Sequence, residues 1–201
     1  MKVYFARHGE SQANVLHEIS NRGLRHGLTP KGRVQAAALA ERLQACSITH
    51  VYSSPVLRAI ETSIIVANRL GIEYEITAAL KEYDCGIAEG RSDDAAWQMW
   101  QELLNAWIVD KQWEDRIDGG ESFIDIRERF VPFVDSLIDR HKESNLLCLS
   151  HGGVYSMMLP LVLQNVDHEL IATRGFDYTG CVVGEMRSTG LVCVEWGGQP
   201  C

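Results

Sequence analysis

No stretch of this chain approaches the ~20 consecutive apolar residues that a membrane-spanning helix needs, and its amino terminus carries no apolar signal segment, so a soluble protein without a membrane partner is expected. Repeats, low-complexity tracts and linkers are also missing. With 201 residues, 46% of them hydrophobic, one domain over residues 1–201 with one sizeable core is expected. Basic residues are scarce: 19 Lys and Arg stand against 27 Asp and Glu, a formal net charge of -8. That balance excludes a broad basic face and with it nucleic acid as a partner, so any anion site must come from arginines gathered locally. The six cysteines (Cys46, Cys85, Cys148, Cys181, Cys193 and Cys201) form no CxxC pair, and Cys148 and Cys193 lie in apolar runs as buried thiols do. The expectation is a reducing, cytoplasmic setting with no structural zinc. None of the seven histidines shows the H-E-x-x-H spacing, which leaves no metal site to expect.

What the sequence does hold is an alternation of short apolar runs with longer helical ones, the pattern of an α/β fold with a largely parallel sheet. "KVYFA" (2–6), "ITHVYSS" (48–54) and "NLLCLS" (145–150) read as strands, with "IEYEI" (72–76) a weaker fourth. Thr29-Pro30 is an N-cap and first-turn pair, after which Val34, Ala37, Ala38 and Leu43 give an inward face at helical spacing. Pro55 opens a second helix with Ile60, Ile64, Ala67 and Leu70 inward until Gly71 stops it. Phe123, Ile126, Phe130, Phe133, Val134 and Leu137 mark a third, bent at Pro132. Residues 181–196 read as a closing hairpin around Ser-Thr-Gly.

Ligands of open α/β sheets bind beyond the carboxyl ends of the strands. The first strand delivers Arg7-His8-Gly9, the second leads through Ser53-Ser54-Pro55 to Arg58, and the third delivers His151-Gly152-Gly153. Helical side chains lean toward the helix N-terminus, so Arg58, in a first turn, reaches back over the sheet edge. Two arginines and two histidines in one mouth repel one another unless an anion sits among them. Phosphate is the leading candidate, since guanidinium groups bind its oxygens bidentately and the N–H groups of Gly152 and Gly153 add donors. Imidazole is moreover a competent nucleophile toward phosphorus, with the cations balancing charge on the transferring group. A proton donor for the leaving alcohol is sought in "ALKEYDCGIAEG" (79–90): Glu82 leads, Asp84 is a substitute, and Glu89 is a third carboxyl.

Taken together, "ARHGES…N" (6–14), "LTPKGRVQA" (28–36), "VYSSPVLRAIET" (51–62), "LKEYDCGIAEG" (80–90), "GGES" (119–122) and "LSHGGV" (149–154) resemble the histidine phosphatase superfamily, or phosphoglycerate mutase-like family. The resemblance implies a three-layer α/β/α fold, a nucleophilic His8, phosphate-pocket roles for Arg7, Arg58 and His151, and a general acid/base at Glu82. It further implies that Asn14 touches the same phosphoryl group and that no metal or diffusible cofactor takes part. One segment departs from the pattern: where many phosphatase members carry Arg-x-Gln-Gly, this chain reads "EISNRGLRHG" (18–27), so Arg22, Arg25 and His26 are candidates to replace those contacts, Arg22 first among them. The style of the segment around Glu82 is similar to the phosphatase branch, which implies hydrolysis of a small phosphorylated metabolite; phosphoryl transfer of the mutase type is the alternative. A homodimer is allowed by these residues and not fixed by them.

Two rival classes remain. "GESQA" (9–13) nearly spells a serine-nucleophile elbow, but its last position is Ala13 and too few strands precede it. A weakly catalytic phospho-ligand binder would keep the pocket but has no need of both His8 and an acid. Trp97, Trp100, Leu104 and Trp107 recur at helical spacing and read first as a helix packed on the domain. The resemblance adds a second reading, in which the helical segment around 92–118 is lid-like and favours a substrate with a hydrophobic or compact organic part.

Overall fold

Each of the four apolar runs that alternate with helices becomes a parallel strand. A computed structural model describes residues 1–201. Strands β1 (Lys2–Arg7), β2 (Ile48–Ser53), β3 (Tyr74–Ile76) and β4 (Asn145–Ser150) are joined by β5 (Cys181–Arg187), β6 (Gly190–Trp196) and β7 (Gln199–Pro200) in one sheet of order β3-β2-β4-β1-β5-β6-β7. The first four pair parallel, and β5, β6 and β7 add on antiparallel at one side. The central pair is β4 and β1, in a register that sets Arg7 opposite Ser150, so the residues that follow, His8 and His151, leave the sheet side by side.

Alternation along the strands builds two cores. Val3 and Phe5 of β1 and Leu146 and Cys148 of β4 face the larger one, formed with α5 (Phe123–Arg140) and α6 (Gly152–Val162). Tyr4, Ala6, Leu147 and Leu149 face the smaller one, under α2 (Pro30–Leu43) and α3 (Leu57–Leu70). The remaining helices are α1 (Gln12–Leu16), α4 (Asp94–Ile108) and α7 (His168–Arg174). Helices therefore cover both faces of a mostly parallel sheet, the three-layer arrangement expected.

Helix starts follow the residues that favour them. Thr29 accepts from the Gly32 N–H at 3.0 Å ahead of Pro30, and Ser122 forms a capping box with Asp125 at the head of α5. Two helix faces differ from the periodicity reading. In α2 the buried stripe is Gly32, Ala36, Leu39, Ala40 and Leu43, while Val34 is 70% exposed. The rotation is set by a close approach: a Cβ at Gly32 would lie within 2.0 Å of the Glu10 carbonyl oxygen, so only glycine lets the helix start against that loop. In α3 the inward face is Arg58, Ala59, Thr62, Ser63, Val66 and Ala67, and Ile64 is 37% exposed. Small and polar residues face inward because Arg58 and Thr62 are buried at the end of the sheet, where they bond to the loop after β1.

The reading of Cys193 as a buried free thiol is corrected. Cys46, Cys85, Cys148 and Cys181 are free, but Cys193 is joined to Cys201. Strand β7 turns the last residues back along β6, and the Cys201 N–H donates to the Val194 carbonyl, which brings the two sulfurs together. No helix is long and apolar enough to cross a membrane.

Candidate active site

His8 follows β1 and is 2% exposed. Its Nδ1 lies 2.7 Å from the Gly9 carbonyl, an acceptor only, so the ring proton sits on Nδ1. Nε2 then keeps its lone pair, and Arg58 Nε donates to it at 2.9 Å. Burial, then Arg58 and Arg7, hold the imidazole well below the usual histidine range, so it is neutral near pH 7. The Gly9 N–H donates to Thr62 Oγ at 3.2 Å, and Thr62 donates to the Arg58 carbonyl at 2.7 Å, fastening the loop to the first turns of α3.

Arg58 is itself oriented by protein acceptors. Its Nη1 donates to the Ser20 carbonyl at 2.5 Å and Nη2 to Asn21 Oδ1 at 3.4 Å. Burial lowers its pKa to about 10, with Glu82 opposing that shift, and it stays charged at neutral pH. Arg7 donates from Nη1 to the Phe176 carbonyl at 2.6 Å, and its guanidinium carbon lies 4.3 Å from the centre of the Tyr178 ring. Its buried Nε–H finds no acceptor in the protein, a group that a phosphoryl oxygen would satisfy.

The two imidazoles stand edge to face, 5.0 Å apart. His151 is fully buried behind His8 and is not part of the cavity wall. Its Nε2 is 2.7 Å from Ser54 Oγ. That hydroxyl also accepts from the Val56 N–H, and the buried Nδ1 of His151 has no partner in the protein. Burial, followed by Arg58 and His8, keeps this ring neutral as well.

Glu82 comes from the segment after a short 3-10 turn (Ala78–Leu80) and places its carboxyl at the N-terminus of α6. Oε1 accepts from the N–H groups of Val154 at 2.7 Å and Tyr83 at 3.1 Å, and Oε2 from that of Gly153 at 3.0 Å. Burial raises its pKa, and the offset from Arg58 and the three N–H donors does not cancel that effect. A Cβ at Gly153 would come within 2.8 Å of both carboxyl oxygens, so glycine is what lets Glu82 dock. The Gly153 N–H expected to bind phosphate is thus committed to Glu82.

Arg7, His8, Asn14, Arg58, Glu82 and Gly152 line one cavity of about 380 Å³. Asn14 accepts through Oδ1 from the Ser11 N–H and hydroxyl, which leaves its NH₂ as a donor. Arg22 does not line the cavity: it grips Asp84 with two bonds of 2.6 and 2.7 Å. Asp84 is engaged there, and Glu89 accepts from the N–H groups of Asn21 and Cys85, so Glu82 is the carboxyl of its segment that lines the cavity. Arg25 and His26 both bind Glu18, which is a lining residue. No group of three or more histidine, cysteine or acidic side chains is placed to hold a metal ion.

Several residues of the wall or of the shell behind it carried no signal in the sequence. Ser20 and Asn21 are ordinary loop residues until the fold sets them against Arg58. Phe176 and Tyr178 sit in the connection before β5 and meet Arg7 only in three dimensions. Ser54 lay within a quoted motif without a role of its own. Trp97, Trp100 and Leu104 of α4 line the cavity, and Trp107 on the same helix is buried in the larger core.

A neutral imidazole with its Nε2 lone pair among guanidiniums, and a raised carboxyl in the same cavity, make a site for moving a phosphoryl group. Residues 3–199 match the family model described as the histidine phosphatase superfamily (branch 1). The chain belongs to that superfamily. It is 31% identical over 163 residues to the "Probable phosphoglycerate mutase GpmB" of Salmonella choleraesuis (strain SC-B67), covering 81% of this chain and 75% of the relative. Among solved structures, Bacillus stearothermophilus YhfR superposes with a TM-score of 0.82 at 26% identity, covering 100% of this chain and 98% of that one. The alpha-ribazole phosphatase from Shigella flexneri superposes with a TM-score of 0.80 at 26% identity, covering 98% and 96%. As a histidine phosphatase superfamily member of phosphoglycerate mutase-like fold, the protein is an enzyme of phosphoryl hydrolysis or transfer on small phosphorylated substrates, and its relatives include both kinds.

Proposed function

We propose that the protein is a phosphomonoesterase that hydrolyses a small phosphorylated metabolite through a phosphohistidine at His8. The observation that carries this reading is the pairing of a neutral, Nδ1-protonated His8 with a buried, raised Glu82 in one cavity. In the first step the His8 Nε2 lone pair exchanges its Arg58 hydrogen bond for phosphorus. The bond to the ester oxygen breaks, and Glu82 delivers a proton to the departing alkoxide. Arg58 and Arg7 take the equatorial phosphoryl oxygens, with the Asn14 amide as a further donor. His151, neutral behind His8, keeps that ring in place. In the second step Glu82, now a carboxylate, takes a proton from water as it attacks phosphorus, and the bond to His8 breaks to restore the free imidazole.

A cavity of about 380 Å³ and a net charge of -8 support a small-molecule substrate rather than nucleic acid. Four free cysteines support the cytoplasmic setting, while the Cys193–Cys201 pair counts against it. Mutase-type transfer is the second reading, supported by the 31% identical relative and that relative's name.

The deciding experiment follows free phosphate and isomerised ester together over a panel of phosphate esters. Phosphate release should dominate in the wild type, with an acid-labile adduct trapped on rapid quenching and lost in His8→Ala. Isomerisation outrunning release would instead make the protein a mutase. In Glu82→Gln the loss should be about 10²–10⁴-fold for alkyl esters and much smaller for nitrophenyl phosphate, whose leaving group needs little protonation.

A further inference from the structure

The cavity treats its two ends differently. Arg7 and Arg58 are the only lysine or arginine side chains in the lining, and both belong to the phosphoryl end. The other nearby cations are committed to carboxylates: Arg22 to Asp84, Arg25 to Glu18, and Lys81 and Arg129 to Glu121. Glu18, which holds Arg25 and His26, also lines the wall. A second anionic group on the substrate, such as a carboxylate beside the phosphate ester, would meet no free cation there.

Beside Ser20, Asn21 and Ser156, much of the remaining wall offers carbon. Trp97, Trp100, Leu104, Met157 and Phe176 all line it. Trp97 and Trp100 stand edge to face with ring centres 5.5 Å apart, forming a corner of two aromatic surfaces. The corner is held firmly: the Trp97 indole N–H donates to the His17 carbonyl at 3.0 Å, and the His17 ring stacks on Trp97 at 4.4 Å. With its polar edge satisfied, Trp97 contributes ring surface rather than a hydrogen bond. A flat ring packs well in such a corner, and a volume of about 380 Å³ accommodates a ring next to a phosphoryl group.

From this we infer that the substrate class is a phosphate ester of an uncharged aromatic or similarly flat apolar alcohol, and that Trp97 and Trp100 determine that specificity. The inference rests on the phosphomonoesterase reading. It also weighs against a phosphoglycerate as substrate, because that molecule bears a carboxylate.

The test compares kcat/KM for three esters of primary alkyl alcohols, so that leaving-group reactivity is comparable: 2-phenylethyl phosphate, glycerol 3-phosphate and 3-phosphoglycerate. The aromatic ester should be favoured about tenfold or more over glycerol phosphate, with 3-phosphoglycerate last, and the difference should lie mainly in KM. In Trp97→Ala and Trp100→Ala the ratio of the aromatic ester to glycerol phosphate should fall about tenfold, and Trp100→Phe should restore much of it. Taking a ratio within one variant removes any loss of folded protein. Turnover without aromatic preference, or preference for 3-phosphoglycerate, overturns the substrate class alone. Absence of phosphate release from all three esters and from nitrophenyl phosphate overturns the phosphomonoesterase reading, and this inference with it.

Discussion

His8 and His151 are buried beside Arg58 and Arg7, and each of those facts disfavours a proton on the imidazole. The same arrangement that keeps Nε2 of His8 ready to attack also couples stability to pH. Below the ordinary histidine pKa of about 6.5 the unfolded chain takes up protons that the native state refuses, so stability falls as pH falls, by at most about 1.4 kcal/mol per pH unit for each ring. Glu82 opposes this in part. Its raised pKa means that the native state holds a proton which the unfolded chain has already lost, over the window between the ordinary carboxylate value and the native one. Two histidines outweigh one carboxyl, so thermal unfolding should move to lower temperature from pH 7 to pH 5.5, and less so in His8→Asn. Identical slopes for variant and wild type would mean that His8 takes up a proton while buried. Arg7, His8, Arg58 and His151 were legible in the sequence because each ends or directly follows a strand or opens a helix, whereas Glu82, past a 3-10 turn, was one of three carboxyls in its segment. Arg22 could not be read, because its partner Asp84 lies 62 positions away and nothing local shows which charge will claim a guanidinium.

At the scale of elements, α6 begins without a side-chain cap of its own, and Glu82 from a distant segment supplies the acceptors for its first N–H groups. Acid and helix are therefore one unit. Gly153→Ala would thrust a methyl group to 2.7 Å from the Tyr83 ring and 2.8 Å from the Glu82 oxygens. We expect a loss of about 1–3 kcal/mol in denaturant unfolding, and a fall in kcat of about 10²-fold for alkyl esters as the carboxyl is displaced. Unchanged kcat at full occupancy would show that Glu82 tolerates the shift or is not the acid. The faces of α2 and α3 were harder to read than their ends. Their caps and stops depend on local chemistry, at Thr29-Pro30 and at Gly71, whereas their rotation depends on what they meet. Ala36, Ala37, Ala38 and Ala40 of α2 gave little contrast, and the approach of Gly32 to Glu10 decided which side faces in. In α3 the buried Arg58 and Thr62 serve the loop after β1, so a rule that points apolar residues inward picked Ile64, on the solvent side.

Across the whole molecule, one sheet serves two cores, and neighbouring residues of β4 belong to different ones: Leu146 to the larger, Leu147 to the smaller. Because every central strand is shared, the cores should not melt separately. Leu146→Ala and Leu147→Ala should each cost about 2–5 kcal/mol, and each should leave a single transition seen alike by tryptophan fluorescence and far-ultraviolet circular dichroism. Two separated transitions in either variant would divide the molecule along its sheet. The layered architecture was legible because strand and helix periods alternate cleanly; the Cys193–Cys201 link was not, since it depends on β7 turning back along β6. The middle of the sheet also sets a timetable for synthesis. Strand β1 is translated long before its partner β4, and His8 stands 143 positions from His151. A nascent chain can hold half of the phosphoryl pocket while the intervening segments are made and still have nothing to close it, so turnover begins only once β4 and His151 have joined it.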